Sequence, residues 1–140
     1  MTRDEVIKRL EAAIEGSREL DANIAALAWP GANPYYVSDG DRPTEIGNGE
    51  WLVLRRTGEG RVVKHRPLEY STSTDAALLL VPKTMGWEIT FQRREHLHVV
   101  GIDLIRNTAN GRYEKFIGRA KTAPLAVCAA ALKAAGETPV

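Results

Sequence analysis

The apolar positions at the start of the chain repeat at helical spacing in two consecutive stretches. The first stretch follows a capping box formed by Thr2 and Glu5 and ends at Gly16. The second begins at Ser17, which is suited to an N-cap, and ends at Pro30. The pattern predicts two short amphipathic helices that pack against another part of the fold. Their apolar faces are formed by Val6, Ile7, Leu10, Ile14, Leu20, Ile24, Ala25, Leu27 and Ala28.

The next region loses the helical spacing. Residues 30–49 are rich in glycine, proline, asparagine and aspartate, which predicts a loop of about 20 residues. Residues 51–56 and 61–66 flank the turn-forming residues 57–60 and predict a β-hairpin. The hairpin has many charges and few apolar residues, so we expect it to be dispensable for folding. We interpret residues 30–68 as a loop and basic hairpin insertion.

A short helix and three strands are predicted next. The hydroxyl residues at 71–74 can cap a helix that Pro82 ends. Apolar and polar residues alternate over residues 87–92, and residues 97–105 and 112–117 predict two further strands. Because short turns connect these strands, they are expected to form an antiparallel meander.

The last predicted helix has an apolar face made mostly of alanine. Thr122 can cap it, Pro124 lies in its first turn, and Gly136 closes it. Small side chains allow such a helix to lie close to a sheet. The order of elements favours a single α+β domain over residues 1–140, a helix–sheet–helix sandwich in which amino- and carboxy-terminal helices pack on a small antiparallel sheet.

Composition narrows the class of protein. The chain has 140 residues, of which 44% are hydrophobic and 26% charged, values that are ordinary for one globular domain. The amino terminus has no secretory signal pattern, and the longest apolar stretch, residues 125–132, is too short for a membrane span. A single cysteine can form neither an internal disulfide nor a cysteine-rich zinc site. We expect a cytoplasmic protein without a cofactor.

The net charge of +1 conceals an uneven distribution. Residues 1–51 contain five basic and ten acidic residues, whereas residues 52–121 contain thirteen basic and seven acidic residues. Complementary layers of one fold, self-association or an anionic ligand would each explain this asymmetry. One basic cluster lies on the predicted hairpin and could contact a phosphate backbone. It consists of Arg55, Arg56, Arg61, Lys64 and Arg66.

Two predicted helix starts form a candidate anion site. Ser73 and Thr74 offer hydroxyls and backbone N–H groups at one start, and Arg119, Lys121 and Thr122 crowd the other. Helix N-termini attract phosphate through oriented N–H donors and the helix dipole. Capping by itself also explains the hydroxyl residues, so both interpretations stay open at this point.

Catalytic and metal chemistry finds little support in the sequence. His96 and His98 are two residues apart and could bind a metal with His65 or Asp103, but two ligands do not make a site. Cys128 lies on the apolar face of the last helix without an evident base. No nucleophile elbow, phosphate-binding glycine loop or HExxH pattern is present. We predict no metal, no catalytic set and no enzyme activity.

Three segments together carry a resemblance to a known family. They are GSRELDA at residues 16–22, YSTSTDAA at residues 70–77 followed by Val81-Pro82 and Gly86-Trp87, and RAKTAPLAVCAAAL at residues 119–132. In this order they resemble the phage ABA-sandwich domain family. The resemblance implies a helix–sheet–helix fold and a phage or prophage accessory protein in the bacterial cytoplasm, and it brings no catalytic residues. Residues 33–68 exceed the family's short connection, and the hairpin has no counterpart.

Two functional hypotheses follow. The first is a non-enzymatic phage accessory protein that binds a host protein or a small anionic, nucleotide-like ligand, with the countering of host defence as one version. The alternative is nucleic-acid binding through the basic hairpin. A homodimer is also predicted, because the strand from Leu97 to Ile102 is apolar and would leave an edge with little charge protection.

Overall fold

The computed structural model describes residues 2–27, 42–56, 62–81, 87–105 and 113–137. In these residues two helices are followed by three strands, a third helix, three more strands and a fourth helix. This α+β arrangement, with amino- and carboxy-terminal helices, confirms the predicted fold class. The helices within these residues are α1 (Arg3–Ala12), α2 (Arg18–Leu27), α3 (Thr74–Leu78) and α4 (Ala123–Glu137). The strands are β1 (Arg42–Gly47), β2 (Glu50–Arg56), β3 (Val62–His65), β4 (Trp87–Arg94), β5 (Leu97–Ile105) and β6 (Tyr113–Ala120).

The helix boundaries follow local capping. The capping box at α1 is present, since Thr2 N–H donates to Glu5 Oε2 at 3.1 Å and Glu5 N–H donates to Thr2 Oγ1 at 3.2 Å. At α2, Leu20 N–H donates to Ser17 Oγ at 3.1 Å. The first helix ends at Ala12 rather than at Gly16. Ile14 therefore lies beyond the helix and is 76% exposed instead of joining its apolar face.

The strands form two antiparallel sheets of three, β1-β2-β3 and β4-β5-β6. The second sheet is the predicted meander, in which Ile102 of β5 pairs with Ile89 of β4 and Phe116 of β6. The turn at residues 106–112 lies outside the described residues. The meander is the platform on which the helices pack.

Helix α4 covers one face of the meander. Ala126, Ala129 and Ala130 are fully buried, and the backbone of α4 lies directly over Gly118 of β6. A β-carbon at Gly118 would be 2.2 Å from the carbonyl oxygen of Ala126, so this close approach requires glycine. The alanine-rich face thus allows the close packing expected from the sequence. At 15 residues α4 is the longest helix described, and none in the described ranges is long and apolar enough to cross a membrane.

The hairpin belongs to a sheet that reaches the core, in contrast to the prediction. Residues 42–47, interpreted as loop, form β1 and pair with β2. Their sequence is poor in apolar residues, so pairing with β2 rather than periodicity makes them a strand. Val53 of β2 is fully buried, and Trp51 packs against the same hydrophobic core. The remaining predicted loop and the hairpin turn at residues 57–60 lie outside the described residues.

The edges of the meander differ from the prediction as well. The apolar strand β5 is central, paired with both β4 and β6, so it offers no free edge for a partner. The outer edge of β6 is covered by an ion pair between Glu11 and Lys133 at 3.2 Å. Arg119 N–H donates to Glu11 Oε2 at 3.2 Å, and Lys133 Nζ donates to the Ile117 carbonyl at 2.7 Å. The reasoning from β5 to a homodimer is therefore wrong.

Candidate anion-binding site

The meander has a second face, on the side away from α4. Strand alternation directs Val100 and Ile102 towards α4, where both are fully buried, and Val99 and Gly101 to the other side. This outer face contains a groove of about 250 Å³. The groove is lined by Thr90, Gln92, Arg94, Val99, Gly101, Lys115, Ile117 and Arg119. We call it the sheet groove.

A glycine in the middle of the central strand opens the sheet groove. Gly101 pairs with Thr90 on β4 and with Ile117 on β6, and it places no side chain between them. A β-carbon at Gly101 would be 3.3 Å from Cε of Lys115, so the lysine stem crosses the space that a larger residue would fill. Val99 and Ile117 are half-buried and form the apolar floor of the groove. The groove thus combines an apolar floor with polar and cationic sides.

The charges of the outer face are ordered along the strands. Asp103 pairs with Glu88 on one side and with Lys115 on the other, which makes that end of the face mixed in charge. Towards the other end, Arg119 pairs with the uncharged Val99, and Arg94 is exposed on β4. The cations near Arg119 have no carboxylate directly across the strand, and the Glu11 carboxylate beside the Arg119 backbone is paired with Lys133.

The five residues predicted to form the anion site lie in separate places in the structure. Arg119 belongs to β6 and lines the sheet groove. Lys121 is exposed between β6 and α4, and Thr122 Oγ1 accepts a hydrogen bond from Leu125 N–H at 3.4 Å. Ser73 Oγ accepts from Ala76 N–H at 3.3 Å, and Thr74 is the first residue of α3. Hence Ser73 and Thr122 act as helix caps, and only Arg119 among the five lines the groove.

Ser73 lies instead in a second cavity of about 350 Å³ beside α2 and α3. This cavity also contains Arg66, so it joins one residue of the predicted helix-start site to one of the basic cluster. Arg18 lines it too, but its guanidinium contacts Asp21 Oδ2 and the carbonyl of Pro67, both at 2.7 Å. Because the Arg18 guanidinium is already paired with these two oxygens, the second cavity is less suited to binding an anion than the sheet groove.

The basic cluster of the hairpin is only partly described. Lys64 on β3 and Arg66 just beyond it are exposed. Arg55 and Arg56 pair through their backbones with Val63 and Val62, but their side chains lie outside the described residues, as does Arg61. The structure thus supports an exposed position for two of the five residues of this cluster.

The three segments that carry the family resemblance meet in a buried polar network. Asp21 is fully buried and accepts hydrogen bonds at Oδ1 from the backbone N–H and the hydroxyl of Ser71, at 2.7 and 2.6 Å. Ser17 N–H donates to Ser71 Oγ at 2.9 Å, which links the start of α2 to the same serine. In the third segment, the Cys128 thiol donates to the carbonyl of Tyr70 at 3.1 Å. These residues join α2, the approach to α3, and α4.

The environment of Cys128 argues against a nucleophile. Burial, reinforced by the negative charge of Asp21, raises the pKa of the Cys128 thiol far above its ordinary value of 9.0. Burial also raises the pKa of Tyr70, with smaller contributions from Cys128 and Asp21. The sulfur is therefore a protonated hydrogen-bond donor at neutral pH, whereas nucleophilic attack requires a thiolate.

The histidines do not form a metal site. His96 lies in the turn between β4 and β5, and His98 lies on the α4 side of β5, so the two do not share one strand face. Asp103 is on the opposite side of the sheet from His98. Within the ranges that the structure describes, no group of three metal-ligating side chains comes together.

Comparison of the chain with protein-family models, curated proteins and solved structures finds no match in any of the three.

Proposed function

We propose that this protein binds a small anionic, nucleotide-like ligand in the sheet groove. The observation that carries the proposal is the position of three cationic side chains, Arg94, Lys115 and Arg119, around one groove on the face that α4 leaves open. Its volume of about 250 Å³ lies just below the roughly 300–1,000 Å³ of pockets for drug-sized molecules. A small ligand with one charged group fits that size.

The side chains that line the groove carry the charged, hydrogen-bonding and apolar groups needed to bind such a ligand. Arginine presents several donors in a fixed plane and pairs with phosphate or carboxylate oxygens through two hydrogen bonds. Arg119 is exposed and can orient its guanidinium over the groove, with Lys115 adding a second positive charge. Thr90 and Gln92 supply neutral hydrogen-bonding groups, and Val99 offers an apolar contact for a sugar or a base. The proposal needs no catalytic group.

The family resemblance suggests a biological setting for this activity. A phage or prophage accessory protein in the bacterial cytoplasm could retain an anionic host metabolite or a nucleotide signal of host defence. Retention requires only affinity, which the cationic and hydrogen-bonding side chains that line the groove can supply. Binding to a host protein is the other form that the accessory role could take.

Titration calorimetry with inorganic phosphate and with adenosine monophosphate tests the groove. Arg119→Gln should weaken binding by roughly tenfold or more, because it removes a charge-assisted hydrogen bond worth about 1.5–3 kcal/mol. Lys8→Gln is the matched control, since it removes one exposed charge from a residue of α1 that does not line the groove. Equal affinities of the two variants, or no binding of either probe to the unmodified protein, would contradict the proposal.

Nucleic-acid binding is the second candidate, favoured by the exposed positions of Lys64 and Arg66. Fluorescence anisotropy with a labelled oligonucleotide at several salt concentrations tests it. Replacement of both residues by glutamine should reduce the affinity and flatten its salt dependence, because fewer counterions are released. If Arg119→Gln reduces oligonucleotide binding and the hairpin variant does not, the hairpin is not the nucleic-acid surface.

A further inference from the structure

Within the described residues, strand β4 forms an edge of the meander. Among the described strands it is hydrogen-bonded only to β5, whereas the opposite edge, β6, is covered by Glu11 and Lys133. Phe91, at the centre of the exposed stretch of β4, is 49% exposed. The exposed residues around it are Glu88, Thr90, Gln92, Arg93 and Arg94. Natural sheet edges of this length are usually covered, charged or paired with another chain.

The hydrogen-bond pattern of the sheet shows which backbone groups of β4 point outward. Arg119 N–H points away from β5 towards Glu11, so Arg119 and Val99 are a non-hydrogen-bonded pair. Because backbone groups alternate in direction along β5, the N–H and C=O groups of Val99 point towards β4. There they pair with the N–H and C=O groups of Gln92. The residues of β4 that alternate with Gln92 point their N–H and C=O groups away from β5. The N–H and C=O groups of Ile89, Phe91 and Arg93 therefore face outward.

We infer that β4 pairs antiparallel with β4 of a second copy of this chain, about a twofold axis at Phe91. In this register Phe91 is opposite Phe91 of the second copy, and Ile89 is opposite Arg93 of the second copy. Each of these pairs can exchange both backbone hydrogen bonds, because all of these residues present their N–H and C=O groups outward. The pairing satisfies the open edge of both chains.

The side chains of β4 are self-complementary about Phe91. Glu88 and Arg94 lie three residues before and after it, so each glutamate meets an arginine of the second copy, twice in the dimer. Thr90 and Gln92, one residue to either side, form a polar pair. A shift of the register by two residues places Glu88 opposite Gln92, or Arg94 opposite Thr90, and loses the ion pairs. Charge complementarity therefore selects a second copy as the partner.

The dimer has a consequence for the outer face of the sheet. A twofold axis perpendicular to the plane of the sheet keeps both sheet grooves on the same side of one continuous six-stranded sheet. Glu88 of the second copy lies beside Arg94 at the rim of the groove, while Lys115 and Arg119, both on β6, stay clear of the interface. The inference does not depend on the anion proposal, since it rests on the edge of β4 alone.

Charge-reversal variants of Glu88 and Arg94 test the pairing. Light scattering and sedimentation at micromolar concentration measure the mass of the particle in solution. The unmodified chain should have twice the monomer mass of 15.4 kDa. Glu88→Arg and Arg94→Glu should each weaken dimerisation by about tenfold, because each places like charges together twice. An equimolar mixture of the two variants should restore the dimer, since every pair is then attractive. The double variant should restore it as well.

Controls separate this interface from other outcomes. Lys8→Glu changes the charge of an exposed residue on α1 and should leave dimerisation unchanged. Thermal unfolding confirms that each variant is folded, as expected for substitutions at exposed positions. A monomer at all concentrations would overturn the inference. So would a dimer that both single variants retain, or a mixture that stays monomeric, because the β4 pairing about Phe91 would then be excluded.

Discussion

Asp21 and Ser71 are 50 residues apart in the sequence, yet the Asp21 carboxylate accepts hydrogen bonds from both the backbone N–H and the hydroxyl of Ser71. The other carboxylate oxygen accepts from Arg18 at 2.7 Å. A fully buried carboxylate is tolerated here because all of these donors are directed at it. The relationship fixes α2 against the segment that leads into α3. Residues of the SRELDA and YSTSTDAA segments thus have a structural role.

Asp21→Asn should destabilise the protein by about 3 kcal/mol, because it removes the charge that pairs with Arg18 and directs an amide at buried donors. Urea unfolding measures the change. Asp4→Asn is the control, an acidic residue exposed in the first turn of α1, and should cost only about 0.5 kcal/mol. Equal effects of the two substitutions would show that the buried network contributes little to stability.

Val53→Ala tests whether the hairpin sheet is part of the core. Val53 is fully buried, so loss of two methyl groups should reduce the free energy of unfolding by about 2 kcal/mol. Val62→Ala, at a position on β3 that is 54% exposed, should have a much smaller effect. If Val53→Ala were neutral in chemical denaturation, the original expectation of a dispensable hairpin would be restored.

Two glycines of the meander should differ in how alanine substitution affects stability. Gly118→Ala places a β-carbon against the backbone of α4 and should destabilise the protein by roughly 3 kcal/mol. Gly101→Ala meets only the end of the Lys115 side chain, so stability should change little. The added methyl group should instead narrow the sheet groove and weaken anion binding. Thermal unfolding and calorimetry of both variants separate packing from binding.

Stability should fall at alkaline pH because of Cys128. The pKa of its thiol is raised in the folded state, so its contribution is fully present below the unfolded value of about 9.0 and declines as the pH rises above it. Tyr70 acts in the same direction above its ordinary value of 10.0. Urea unfolding at pH 8 and pH 10.5 should show a smaller loss for Cys128→Ser than for the unmodified chain. Identical losses would exclude a role for the thiol.

Much of the fold was predictable from the sequence because the responsible interactions are local. The capping box of Thr2 and Glu5, the Ser73 and Thr122 caps, and the alternation along the meander each depend on residues close together in the chain. The same holds for the alanine-rich face of α4. The boundaries were less accurate, since α1 stops at Ala12 and β6 continues to Ala120, where packing rather than periodicity decides.

The candidate site was predictable only through Arg119, and its surroundings were decided by tertiary structure. Gln92, Val99 and Arg119 form a row across three strands because of the pairing register, which no local pattern of one strand contains. Long-range contacts likewise turned residues 42–47 into a strand, placed β5 at the centre of its sheet and buried Asp21 beneath Ser71. Sequence alone determined the helices, their caps and the strands of the meander, since those preferences are local. Which side chains share a face, and which edge stays open, followed only from how the elements pair and pack.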